Sequence, residues 1–229
     1  MKMSFTDRRS SHPSVSPTTD HGCDRSSSVR TYAASAKIKI LSVTTMIHEL
    51  ETDRLKLRQW RSSDYPTFAT MSADLRVMEH FPNPLTADES YALASKIEGL
   101  ITEKGWGFWA LEIKDSQKFA GFVGLHEPIM TLPFSPCIEV GWRLGYEFWG
   151  QGSATEAANA ALKFAFEVLE LTEVVSFTAA QNLRSQAVMK RLKMQNTGKN
   201  FDHPKIPIAH PLREHVLYRT TKQSYLDRF

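Results

Sequence analysis

Trp149–Phe166 reads WGQGSATEAANAALKFAF. Gly150 and Gly152 sit one residue apart, in a turn that runs straight into an alanine-rich segment. Ala154, Ala157, Ala158, Ala161, Ala165 and Leu169 recur at helical spacing and read as a buried side. Glu156, Asn159, Lys163, Glu167 and Glu170 take the opposite face. The stretch is therefore a glycine turn opening a surface helix. A helix N-terminus carries free N–H donors and a partial positive charge. Glycine beside it lets an anion approach the backbone, so phosphate or pyrophosphate is the ligand chemistry that fits.

Two phosphate loops are excluded. The turn lacks the G-x-x-x-x-G-K-[ST] of nucleotide triphosphatases, and Thr155 stands where a dinucleotide fingerprint needs its third glycine. The strand before it also comes late, after a hairpin, rather than opening a βαβ unit.

Upstream, TDRLKLRQW (Thr52–Trp60) alternates Leu55, Leu57 and Gln59 against Arg54, Lys56 and Arg58, the pattern of a half-buried strand. SSDYPTFATMSA reads as a short helix, stopped by FPNP (Phe81–Pro84). Thr86 and Glu89 form a capping box for a helix ending at Gly105. GFWALEIK (Gly107–Lys114) and KFAGFVGLHEP (Lys118–Pro128) flank a short DSQ connection and predict an antiparallel hairpin. CIEVGWRLG (Cys137–Gly145) is the next strand, with Ile138, Val140, Trp142 and Leu144 on one face and Cys137, Glu139, Gly141 and Arg143 on the other. Downstream follow a strand (Thr172–Ala180), a helix (Asn182–Met194) and a last strand (His215–Gln223). This order predicts an α/β (α+β) domain, a mixed sheet flanked by helices.

The turn resembles the pyrophosphate-binding turn of the GNAT acetyltransferases, Q/R-x-x-G-x-G/A, mapped onto Trp149–Ala154 with Gly152 and Ala154 at the small positions. Trp149 in place of Gln/Arg, within IEVGWRLGYEFWGQGSATEAA, is similar to the RimJ/RimL-like branch. LRQWRSSDYPTF, SFTAAQNLRSQAVMKRLKM and FDHP…HPLREHVLYR extend the resemblance over roughly Glu51–Gln223. The sequence departs from the family at Lys193, where glycine is usual, at Met189, where many members carry a Tyr general acid, and in KIPIAHPL.

The resemblance implies a GNAT fold of about six or seven strands with splayed fourth and fifth strands. It also implies acetyl-CoA as cosubstrate, direct transfer to a primary amine (a protein N-terminus or a small molecule), and no metal. A catalytically degenerate CoA-binding module is the alternative. Backbone N–H groups of Gly150, Gly152, Ser153, Ala154 and Thr155 are candidates for pyrophosphate, within a cofactor set that includes Trp149 and Gln151. Val140, Gly141, Trp142, Arg143 and Leu144 form the strand expected to pair with pantetheine through its main chain. An N–H near Val140 or Gly141 is the candidate oxyanion donor. Glu139 is the candidate general base, with a structural alternative in a same-face pair with Arg143. Asn182 is expected to touch pantetheine, and Ser185 to touch it and protonate the leaving thiolate; helix capping by Asn182 is the structural alternative. Trp109, His203 and His210 are candidates for the acceptor pocket. The spacing of Asp202, His203, His210 and His215 matches no standard zinc site.

Composition agrees with this class. The chain has 229 residues, 41% hydrophobic and 23% charged, enough for one domain with a sizeable core. Its net charge of +3 comes from residues 1–45, which carry +4 and leave −1 on the remainder. A near-neutral domain argues against a nucleic-acid surface. Residues 1–45 are rich in Ser, Thr and Arg and are expected to be a disordered extension before a domain at 46–229, with Met46 a natural start or the tail dispensable. Cys23 and Cys137 make neither a disulfide framework nor a metal spacing, which suits a cytoplasmic protein. No run is long and apolar enough for a membrane span. Monomer and homodimer both remain open.

Overall fold

The computed structural model describes residues 45–228. The extension expected to be disordered lies outside the described residues, apart from Thr45. In chain order the elements are β1 (Leu50–Glu51), β2 (Leu55–Arg58), α1 (Tyr65–Ala73), α2 (Ala87–Lys104), β3 (Phe108–Ile113), β4 (Phe119–His126) and β5 (Glu139–Leu144). There follow α3 (Ser153–Glu167), β6 (Glu173–Ala179), α4 (Leu183–Arg191), β7 (Gln195–Asn196), β8 (Phe201–Asp202), β9 (Glu214–Thr221) and α5 (Lys222–Leu226). The sheet runs β1-β2-β3-β4-β5-β6-β9, with β7 and β8 both on β9. Six of the strands are long; β1, β7 and β8 have two residues each and leave no periodic signal.

Every pairing is antiparallel except β5 with β6. That parallel pair meets in register only at Glu139 and Val175, where Val175 N–H donates to Ile138 O at 3.0 Å. Beyond this point the two strands separate, so the expected splay is present.

Cross-strand register sorts side chains onto two faces, because directly opposed residues project the same way. Ala110, Phe122 and Arg143 form one row, and Phe108, Gly124 and Gly141 the next on that face. α1 and α2 cover it: Phe68 of α1 packs 6.1 Å from Phe122, and Ser72 of α1 meets Arg143. Trp109, Val123 and Trp142 form a row on the other face, where Phe164 of α3 meets Trp109 edge-on at 5.4 Å.

The helices start and stop where side chains can close them. Thr86 accepts from Glu89 N–H and Glu89 returns to the Thr86 N–H, the capping box expected for α2. α3 buries more than its alanines: Leu162, Phe164 and Phe166 are also buried, so its apolar stripe is wider than the alanine spacing alone suggests. β2 departs from simple alternation. Arg58 is 2% exposed, bidentate to Asp64 (2.8 and 2.9 Å) and bonded to Glu112 at 2.6 Å. Its charge is tolerated inside because both carboxylates come with it. After α4, Lys193 adopts φ 57°, a left-handed conformation that glycine takes without strain.

Candidate active site

The β5–β6 gap, the N-terminus of α3, the start of α4 and the α1–α2 connection enclose one cavity of about 640 Å³. Its lining includes Gly150, Gly152, Ser153, Ala154 and Thr155 from the turn, and Asn182 and Ser185 from α4. Glu139, Gly141 and Arg143 come from β5, and Phe81, Phe108 and Phe122 from the α1/α2 face. Residues more than a hundred positions apart thus share one space.

The turn is built as its sequence suggests. Gly150 and Gly152 take φ +75° and +81°, and Gly152 is the N-cap of α3. That backbone region disfavours any Cβ, so glycine is needed for the path itself. Gly152 brings no side chain to cap the helix, which leaves the first N–H groups of a 15-residue helix facing outward. Arg54 braces the turn: it donates to Gln151 O at 3.1 Å and to Glu156 at 2.8 Å. Trp149 is held by its Nε1–H to Leu144 O at 2.9 Å, and Gln151 by Nε2–H to Glu147 O at 2.7 Å.

The main chain of β5 supplies an open edge. Gly145 N–H donates to Ala120 O, so Gly145, Arg143, Gly141 and Glu139 turn their N–H groups toward β4. Val140, Trp142 and Leu144 turn theirs toward β6, and Trp142 lies past the last β5–β6 pairing. By this alternation the Gly141 N–H is turned toward β4, and those of Trp142 and Leu144, past the last pairing, face the gap.

Glu139 lies at one end of the cavity, directly across from His126. Burial pushes its carboxyl up to about 8. Burial also pushes His126 down to about 4, so the imidazole that stacks on Phe108 at 5.2 Å is neutral near pH 7 and offers no counter-charge. The same-face pair with Arg143 does not form. Arg143 instead reaches Ser72 Oγ at 3.4 Å and lies over the Phe81 ring at 4.3 Å. Burial lowers its pKa to about 10, which leaves it charged at neutral pH.

At the start of α4, Asn182 Oδ1 accepts from Ser185 N–H at 3.1 Å and caps the helix. Its Nδ2 donates to Thr178 Oγ1 at 3.0 Å and to Ser185 Oγ at 3.1 Å. Ser185 Oγ therefore accepts from Asn182, and its own hydrogen is left to point elsewhere. Met189, at the expected Tyr position, is 1% exposed and packs in the core.

Three acceptor candidates fall away from the cavity. Trp109 is fully buried on the α3 face, with Nε1–H donating to His48 O at 2.7 Å. His203 is fully buried behind His215, ring to ring at 4.9 Å, and it is His215 that reaches the lining. His210 closes a loop turn by accepting from Leu212 N–H at 3.1 Å. The residues that sequence reasoning passed over are Arg54, His80 and Phe81. Glu79 pairs with Arg184 of α4 at 2.7 Å and holds the segment carrying His80 and Phe81 beside the cavity. No local pattern announces that contact, because its partners are 105 positions apart. Cys137 is half-buried with its thiol pushed up to about 11, so it stays a protonated thiol.

Comparison with known proteins agrees with this geometry. A family model described as "Acetyltransferase (GNAT) domain" matches residues 54–195. The chain is 24% identical over 150 residues to the uncharacterized N-acetyltransferase YnaD of Bacillus subtilis, covering 65% of this chain and 84% of that protein. It is 28% identical over 160 residues to an FsC-acetyl coenzyme A-N(2)-transacetylase of Aspergillus fumigatus, covering 68% of each. Among solved structures, a GNAT-family acetyltransferase from Bacillus anthracis superposes with a TM-score of 0.65 at 20% identity, covering 77% of this chain and 99% of that one.

Proposed function

We propose that this chain, which belongs to the acetyltransferase (GNAT) family, moves an acetyl group from acetyl-CoA directly to a primary amine in the cytoplasm. One observation carries the reading: an uncapped helix N-terminus, a splayed strand edge and a half-buried carboxylate open on a single cavity. Each suits one part of the cosubstrate or the reaction. The N–H groups of Gly152, Ser153, Ala154 and Thr155 receive the pyrophosphate. The open edge of β5 receives pantetheine by main-chain pairing.

Acetyl-CoA supplies an activated acyl group as a thioester. Glu139 removes the proton that keeps the acceptor amine from attacking. A carboxyl near 8 takes up a proton readily at neutral pH, which suits a base for a primary amine held in the cavity. The Trp142 N–H is the donor for the developing oxyanion. Ser185, its oxygen engaged by Asn182, hydrogen-bonds the departing sulfur, and the proton that the nitrogen loses on forming the amide neutralises the thiolate. The protonated state of Cys137 favours direct transfer over an acyl-enzyme. A RimJ/RimL-like assignment is supported by a 38% identical match over 64 residues to a putative ribosomal N-acetyltransferase of Bacillus subtilis. We assign the transfer to residues 46–229.

The test is CoA release from acetyl-CoA over a panel of primary amines, beside thermal shifts with acetyl-CoA, CoA, ATP and NAD. Turnover with at least one amine, and stabilisation by the CoA compounds alone, are expected. CoA binding with no turnover would favour a degenerate module, for which the buried Met189 at the Tyr position is the motivating observation. Stabilisation by ATP or NAD alone would overturn the cosubstrate.

A further inference from the structure

Arg143 is the most enclosed charge in the cavity. It rises from β5 on the α1/α2 face, on the same side as Glu139, with Gly141 between them. It is 7% exposed. Its guanidinium lies 4.3 Å from the Phe81 ring, 5.5 Å from Phe122 and 5.9 Å from Phe68. Of its five N–H donors, one reaches Ser72 Oγ at 3.4 Å, and its buried Nε–H has no partner. No carboxylate among the described residues pairs with it. The contrast with Arg58 is internal to the molecule, since that equally buried arginine holds two carboxylates. Aromatic faces attract a cation but satisfy no N–H. A buried charge left this way is costly unless a ligand completes it.

We infer that Arg143 receives an anionic group of the acceptor, and that the acceptor is an amino carboxylate. Its amine lies toward Glu139, its apolar body against Phe108, Phe122 and Phe81, and its carboxylate on the guanidinium. This deepens the acetyl-transfer reading and rests on it. Glu139 and Arg143 are four residues apart on an extended strand, so their Cα atoms stand about 13 Å apart. The two ends of the acceptor are thus several bonds apart rather than adjacent as in an α-amino acid. Gly141 keeps the floor open between them: a Cβ there would come within 3.1 Å of Phe108.

The test compares straight-chain amino acids, from glycine through aminohexanoate to aminooctanoate, each against its own carboxamide. CoA release by the full chain at saturating acetyl-CoA is the readout. The acid is expected to exceed its amide in kcat/KM by about tenfold or more in the longer members, the value of a charge-assisted hydrogen bond. Arg143→Met is expected to erase that ratio, and Arg143→Lys to keep part of it. Equal kcat/KM for acid and amide in the unmodified protein overturns the inference, and that comparison needs no variant to fold. If no amine turns over, the acetyl-transfer reading fails separately. Calorimetric binding of aminohexanoate and its amide to the CoA-saturated protein then decides: tighter binding of the acid upholds the Arg143 site, while equal or absent binding overturns it.

Discussion

Glu139 owes its chemistry to its neighbours. Facing a neutral His126 and an apolar cavity wall, it has no cation to hold its proton off. Two outcomes follow from a carboxyl near 8. As base it must be ionised, so kcat/KM rises with pH through about 8, and Glu139→Gln flattens that limb. A profile unchanged in the variant removes Glu139 as base. Stability takes the opposite sign. Between the ordinary value of 4.5 and about 8 the folded protein keeps a proton that the unfolded chain has lost. Stability therefore falls as pH climbs through that window, by up to about 1.4 kcal/mol per pH unit from this group. Urea titrations across it should show a shallower fall in Glu139→Gln, and parallel curves would refute the raised carboxyl. Gly152 is the second residue with a sharp outcome. Valine at φ +81° would strain the turn and bring a Cβ 3.5 Å from Arg54 Nη2. CoA affinity is expected to fall at least about tenfold with the fold retained. Undiminished affinity in a folded Gly152→Val protein would end the pyrophosphate assignment.

At the scale of elements, the caps and turns follow local rules, and α4 tests them. Its end passes through Lys193 at φ 57°, a conformation that costs a non-glycine residue about 1 kcal/mol. Lys193→Gly is expected to stabilise the protein by up to about that amount, read from the denaturant midpoint at unchanged slope. A loss would mean that the lysine side chain makes a contact worth more than the strain. The long strands and the four helices α1 to α4 were legible because apolar period, capping residues and short connections agreed for them. Two-residue strands such as β7 and β8 exist only through pairing with β9, so no local pattern could announce them.

At the scale of the molecule, two predictions depend on contacts far apart in sequence. Arg58 joins β2 to β3 and to the turn before α1 through Glu112 and Asp64. Arg58→Met leaves two carboxylates without their cation, and a loss of about 3 kcal/mol or more is expected in equilibrium unfolding. A loss below about 1 kcal/mol would show that water reaches the carboxylates. Ligand binding acts on the whole fold as well. CoA at about 100 times its dissociation constant should add about 2.7 kcal/mol, visible as a raised melting temperature. The full chain carries both measurements.

Sequence by itself determined the helix that starts at a bare glycine turn, the strand before it, the capping box of Thr86 and Glu89 and the alternation that puts Glu139, Gly141 and Arg143 together. These follow from period, φ preference and capping, which act within a few residues. Tertiary structure decided which helices cover which face. That choice sent Trp109 under Phe164, hid His203 behind His215, and separated Arg143 from Glu139 so that one arginine faces the cavity without a carboxylate. Alternation defines two faces of a sheet but carries no information about what packs on each. That is settled by burial summed over segments more than a hundred residues apart, and the site is made where those segments meet.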